Sequence, residues 1–491
     1  MLDQAAKVHR PTVQRMRAML AGASVAVLTL FGGAQVVSAE TLTQALASAY
    51  RYNPSIDSQR AALRATDEGV AIANSGYRPN ISASADVGLD HSETRPSSPN
   101  NGTTAHRGYS INLVQPLFTG LRTVYGVKVA EANVRSGRET LRDTERSILL
   151  EAVTAYVDVV RDQAVVRLQE NNVTVLTREL KATEDRFAVG EVTRTDVAQA
   201  QARRAGSISA LDLAKANLKS SRATYERVIG HPPSNLVDPG PPESQLPNSL
   251  ESSLAAGEQE NPLIISALYQ EEAARHTVDQ IRGEMLPSAQ LEATWAERFD
   301  PSRNTDETES GTVVGRVNVP IYQGGQVAAR VRQAKHSHVA RLQQIELVRT
   351  QVREAVIASW SQYQAARAQV QSDRTQVAAN QTALTGVREE EKVGQRTLID
   401  VLNAEQELLN AQVQLVTDQR NLVVAGYSVL SAIGRLEASR IGAASEVYDP
   451  EIHYEEVRRK WYGLSITHED GRREHLDVWP TRVERSAEPY K

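Results

Sequence analysis

Hydrophobic positions recur along this chain with two different periods, and the period switches at proline. From Leu121 to Phe187 there is no proline, and Leu149, Val153, Tyr156, Val160 and Leu176 recur at helical spacing. At 1.5 Å per residue this stretch predicts a helix about 100 Å long, which suits a coiled coil or a tube rather than a compact domain. Val189-Gly190 interrupts it, and a second helix runs back to Ile229-Gly230. Thr41 to Gly76 predicts a shorter helix with Pro54 near its start. After Pro79 the period drops to 2. Ile81, Ala83, Ala85, Val87 and Leu89 alternate with polar or small residues, and Tyr109, Ile111 and Leu113 do so again up to Pro116. Residues 91–107, between them, predict a polar surface loop. The pattern is a hairpin of strands about 10 residues long, enough to cross a bilayer when tilted.

The same order then recurs. Gly190 and Gly394 are 204 residues apart, as are Asp196 and Asp400, and Gly230 and Gly434. Asn261-Pro262 follows Asn53-Pro54 at an offset of 208, and Leu286-Pro287 follows Arg78-Pro79 at 208. Ala289, Leu291, Ala293 and Trp295 alternate as a third strand, with Trp295 a candidate for an aromatic belt. Residues 300–311 predict a loop with Asp306, Glu307 and Glu309 at its tip, and Val313, Val317 and Val319 a fourth strand. Helices from Val327 to about Glu391 and from Thr397 to Ile433 complete the copy. Punctuation repeated at one offset is the mark of an internal duplication. The expected organisation is residues 40–230 as a first repeat, 231–250 as a Pro/Ser-rich linker, 251–439 as a second repeat, and 440–491 as a weakly ordered charged tail.

Composition narrows the classes. The 491 residues carry a formal net charge of −5, which gives no nucleic-acid footprint. There is no Cys, so disulfides, thiolate metal sites and an N-terminal lipid-bearing Cys are excluded. Residues 1–39 read as a secretory signal: Arg10, Arg15 and Arg17 precede the apolar run Met19 to Phe31, and Val37-Ser38-Ala39 is a small-residue cleavage site. A membrane anchor is the competing reading, but that run is short for a span. His336 and His338 at i and i+2 on a helix point apart, so no metal site is expected. No phosphate loop, nucleophile triad or titratable cluster occurs, so neither an enzyme nor a cofactor is expected.

The strands admit two readings. In a soluble hairpin the apolar face meets a core; in an outer-membrane strand it meets lipid, and the polar face meets a wet lumen. Four strands cannot close a barrel, and open edges cannot sit in lipid, so spanning strands require several copies. The alternative is a soluble periplasmic coiled-coil adaptor or scaffold protein.

From residue 40 to about 440 the chain resembles the TolC family of outer-membrane efflux and secretion ducts. The resemblance rests on the duplicated order, on Leu286-Pro287 and Gln115-Pro-Leu-Phe-Thr-Gly120, and on Val393-Gly-Gln-Arg-Thr-Leu-Ile-Asp-Val-Leu-Asn-Ala404. It implies a mainly α fold with β: a homotrimer whose twelve strands form an outer-membrane barrel continuous with a long periplasmic α-helical barrel. It also implies a periplasmic adaptor (a membrane fusion protein) and an inner-membrane transporter as partners. Lacking the lipid-bearing Cys, the chain resembles the unlipidated branch, which serves type I secretion as well as efflux.

In that family the helical tips close the duct. Val189-Gly190 and Val393-Gly394 match the tip turns, Arg396 the gate-linking arginine, and Asp400 the first constriction aspartate. Thr195 and Asp196 match the positions that receive the arginine, so an Arg396 bond to Thr195 or Asp196 is expected to hold the tips shut. Asn403 stands where a second aspartate is usual, and Glu391 where a gate-linking tyrosine is. The plainer reading makes Asp196 and Asp400 helix-N-terminal acids and Arg396 a solvated cation, worth about 0–1 kcal/mol.

Overall fold

The computed structural model describes residues 39–97, 99, 101–442, 447–467 and 473–474. The expected signal segment lies outside them except for Ala39. The first repeat runs α1 (Leu42–Tyr52), α2 (Pro54–Ser75), β1 (Asn80–Ser92), β2 (Gly102–Phe118), α3 (Arg122–Ala188) and α4 (Arg194–Ile229). The second runs α5 (Leu250–Glu260), α6 (Pro262–Arg282), β3 (Ser288–Ser302), β4 (Thr305–Asn318), α7 (Gln326–Lys392) and α8 (Leu398–Ala432). Helices α3 and α7 each have 67 residues, about 100 Å.

The Thr41–Gly76 helix is two helices. Asn53 is extended (ψ 119°), as the residue before a proline prefers, and its side-chain oxygen caps α2 at Ser55 N, 2.9 Å away. Its Nδ2 donates to Val228 O at the end of α4 (2.9 Å). Asn261 repeats both bonds, to Leu263 N (2.9 Å) and Ala432 O (2.8 Å). The twinned Asn-Pro is therefore a fastener: it starts a short helix and satisfies an orphan carbonyl of the returning one.

The main core is a band half-way along the long helices. Leu149 to Val159 of α3, Val352 and Val356 of α7, and the C-terminal turns of α4 and α8 meet α1 and α5 there. Tyr156 and Tyr225 are wholly buried in it. Tyr156 shares its one hydroxyl proton between Val237 O (2.7 Å) and Glu40 O (2.8 Å), and Tyr225 donates to Glu40 Oε1 (2.7 Å). Burial pushes the Tyr156 phenol up to about 12, so it stays a neutral donor.

The strands are longer and the loops shorter than expected. β1 to β4 have 13, 17, 15 and 14 residues, and β3 and β4 are joined by a tight turn at 303–304. Asp306, Glu307 and Glu309 thus lie in β4, not in a loop. Polar strand ends carry no apolar alternation, yet they pair across the hairpin, as His91 Nδ1 does with Thr103 Oγ1 (3.0 Å).

The tail also needs correcting over its described part. Residues Pro450–Arg458 form α9, and Ile466–Thr467 (β5) pairs with Arg473–Glu474 (β6). α9 lies against α2 and α3. His453 Nδ1 meets the fully buried Asp67 Oδ2 (2.9 Å), and Arg138 of α3 pairs with Glu451 (2.9 Å). Nine residues are too few for periodicity to report, and charged contacts rather than an apolar stripe hold the helix.

Candidate duct wall and gate

The four strands form one antiparallel sheet in the order β1-β2-β3-β4, and the two hairpins join through β2 and β3. Cα partners share a face. On one face Ile81, Leu113, Ala293 and Val313 form a row, and Ala83, Ile111, Trp295 and Gly311 the next. On the other lie Ser82, Asn112, Thr294 and Thr312, then Ser84 and Ser110. That polar face is internally bonded: Thr294 Oγ1 donates to Asn112 Oδ1 (2.9 Å), and Arg316 takes Glu292 in a two-pronged bond (2.9 Å each). Among the described residues no core lies beneath the apolar face. Val87 is 85% exposed, Leu89 77% and Val313 72%.

Aromatic rings bracket this face. Tyr109, Trp295 and Phe299 cluster toward the turn end, with Tyr109 5.6 Å from Trp295 and 6.4 Å from Phe299. Tyr77, Phe118 and Tyr322 stand exposed at the strand–helix junctions. Arg107, level with Phe299, to Phe118 is 11 residues of β2. At about 3.3 Å per residue and a tilt of about 40°, the two girdles stand roughly 28 Å apart, close to the apolar band of an outer-membrane barrel. Among the described residues no helix is long and apolar enough to cross a membrane.

The sheet passes into the helices through tight junctions. Gly120 has φ +66°, and a Cβ there would stand 2.4 Å from Gly283 O, so the start of α3 and the end of α6 meet backbone to backbone. About 100 Å away are the tips. Gly190 (φ +83°) and Gly394 (φ +77°) reverse the chain, with open space around both. Backbone conformation rather than crowding requires glycine there. Val189 and Val393 beside them are 73% and 70% exposed.

The returning helices start alike. Thr193 and Thr397 are N-caps, and Asp196 and Asp400 close capping boxes on them. Asp400 accepts from Thr397 Oγ1 (2.7 Å) and Thr397 N (3.0 Å), and these bonds, with Arg396 a lesser influence, hold its carboxyl below the usual range. Both aspartates thus have a structural job in the single chain. Thr195 is exposed beside Asp196.

Arg396 does not reach Thr195 or Asp196. Its Nε donates to Glu390 (2.9 Å), six residues back across the same turn. The hairpins are tied by two other bonds. Arg186, near the end of α3, donates to Glu391, near the end of α7 (2.5 Å). Arg203 of α4 donates to Asn403 Oδ1 of α8 (2.7 Å). Glu391 and Asn403, the two departures from the family pattern, are the two acceptors. Behind them Leu176, Leu398 and Leu402 pack together, and Arg388 pairs with the buried Glu405. Glu179 of α3 faces this group. Burial, then the Glu405 and Glu391 carboxylates, raise its carboxyl, against the opposing pull of Arg186 and Arg388. Arg186 and Arg203 escaped the motif reading because neither lies in a tip motif. The available signal was charge across the repeat: Arg186 and Glu390 are equivalent positions, 204 residues apart, with opposite signs.

Elsewhere His338 is turned to Glu271 (2.6 Å), away from any partnership with His336. Among the described residues no group of His, Asp and Glu is placed to hold a metal ion.

The outer membrane efflux protein family model matches residues 44–231 and 256–435. The outer membrane efflux protein BepC of Brucella suis is 40% identical over 441 residues, 89% of this chain and 94% of that protein. The outer membrane protein TolC of Escherichia coli is 25% identical over 424 residues, 83% of this chain and 85% of its own. Among solved structures, the Campylobacter jejuni CmeC outer membrane channel superposes with a TM-score of 0.72 at 16% identity, covering 85% of this chain and 89% of that one. Both matched segments span the paired hairpins, and the chain belongs to the outer membrane efflux protein family.

Proposed function

We propose that three copies of this chain close into one passive duct, the outer-membrane exit of a tripartite efflux or type I secretion system. One observation carries the reading. The sheet exposes an apolar, ring-bracketed face, has two unpaired edges, and runs without a break into helices about 100 Å long. Open edges are untenable in lipid, so β4 of one copy must pair with β1 of the next. Three copies give twelve strands. A polar face lining the lumen needs no binding pocket or reacting group, which fits a conduit rather than an enzyme.

The tips are the gate of this reading. Arg186–Glu391 and Arg203–Asn403 join hairpins within a chain, and in a three-fold assembly each recurs three times. Arg203–Asn403 is exposed and Arg186–Glu391 is half-buried, so each is worth about 1 kcal/mol. A gate held by several weak links stays shut alone and yields to a partner that spends a few kcal/mol of contact energy. The exposed Val189 and Val393 offer such a periplasmic adaptor an apolar foothold, and the adaptor would bring an inner-membrane transporter. Arg396, bonded to Glu390 in the single chain, and the three Asp400 carboxylates are left near the aperture, where acids concentrate cations.

The test is extraction of outer membranes in mild detergent, followed by electrophoresis before and after heating. A heat-sensitive trimer is expected. A monomer released in osmotic-shock fluid would favour a soluble adaptor and overturn the duct.

A further inference from the structure

The segment after the second repeat ends at a place the duct itself does not explain. α9 and the residues after it run along α2 to the α2–β1 junction. Asn74 Nδ2 donates to Arg458 O (3.4 Å) and Arg78 Nη1 to Lys460 O (2.7 Å). The Trp461 ring lies 5.0 Å from the Arg78 guanidinium. Arg78 is two residues before β1, so these bonds set Trp461 at the helix-side rim of the sheet, on the level of Tyr77, Phe118 and Tyr322. There the chain turns its large side chains outward. Trp461 is 67% exposed and Tyr462 92%, followed by exposed Leu464 and Ile466. The exposed Arg459 stands beside them.

Water is a poor environment for such a cluster, whereas a membrane surface suits each part. Trp and Tyr place apolar bodies in the acyl boundary and polar edges among headgroups, and arginine attracts anionic lipid. We infer that residues 459–466 are an interfacial anchor that docks on the phospholipids of the periplasmic leaflet, adding a fourth and fifth ring to the rim girdle of each chain. The inference rests on the reading that the four strands span the outer membrane. α9 is then the bracket that holds the anchor at the right height, through His453–Asp67 and Arg138–Glu451.

The chain has four tryptophans, so single-tryptophan reporters test this in the full protein. One variant keeps Trp461 (W295F/W360F/W479F) and another keeps Trp295 (W360F/W461F/W479F). Each is reconstituted into phosphatidylethanolamine–phosphatidylglycerol vesicles, with and without phosphatidylglycerol brominated high on the acyl chain. Loss of emission from both reporters on adding brominated lipid is expected. Quenching of Trp295 with Trp461 unaffected overturns the anchor, the strap then lying in water or under a neighbouring copy, and leaves the duct intact. Quenching of neither removes the spanning reading and the anchor with it.

Discussion

Arg186 and Arg203 are the side chains that tie the two hairpins together near their tips. Replacing both with alanine removes the links to Glu391 and Asn403 in every copy. A combined loss of roughly 1.4 kcal/mol shifts a closed–open balance about tenfold. Planar-bilayer recordings of R186A/R203A should therefore show markedly higher conductance than the unmodified channel, and unchanged conductance would take these residues out of the gate. R396A, by contrast, breaks only a bond within its own turn of the chain and should have the smaller effect. Glu179 predicts a pH effect. Its carboxyl is raised in the packed tip, so the packed state binds the proton more tightly than the open one. Protonation favours closure: this contribution is fully present below the ordinary glutamate value and is lost as pH rises through the raised one. The charged groups that face Glu179 are the Glu405 and Glu391 carboxylates and the Arg186 and Arg388 guanidinium groups. Comparing E179Q with the unmodified channel isolates the Glu179 effect. The variant should conduct less at neutral pH and converge with the unmodified channel on acidification, and parallel profiles would exclude the role. At this scale the Val-Gly turns and the two capping aspartates were legible, because backbone conformation and N-cap chemistry are local. The Arg186 and Arg203 links were not, because they depend on how two long helices wind past one another.

At the scale of elements, Asn53 and Asn261 do equivalent work. Asn53→Ala loses an N-cap and leaves the buried Val228 carbonyl without its side-chain donor. The cost should be about 1–3 kcal/mol, and N261A should match it. Thermal melts of the two variants would check this, and a neutral Asn53→Ala would show that Pro54 alone sets the break. The long helices were readable within a residue or two, since a 67-residue stretch without proline leaves no other regular structure. Less was readable where pairing rather than pattern decides. The polar ends of β3 and β4 looked like a loop, and the break at Asn53-Pro54 was absorbed into one helix. The short α9 lacks an apolar stripe and is held by His453, Glu451 and Tyr454 against α2 and α3.

At the scale of the molecule, the duplication explains why one chain supplies four strands. Each repeat contributes one hairpin, and β2 pairs with β3 across the repeats, with Ile111 opposite Trp295. The outward face was legible from alternation, but whether it met a core or lipid was not. The decision came from the exposure of Val87 and Val313 and from the spacing of two aromatic girdles, both three-dimensional facts. What remains is closure between copies, and the absence of cysteine makes it directly measurable. One cysteine is placed on the β1 edge, at Ala83 or Ala85, and a second is scanned along β4 from Thr308 to Val314, with mild oxidation in outer membranes. Covalent trimers on non-reducing gels are the predicted result, with strongest cross-linking at one register. Cross-linking confined to single chains, with β1 and β4 of one copy joined, would contradict a wall built from several copies.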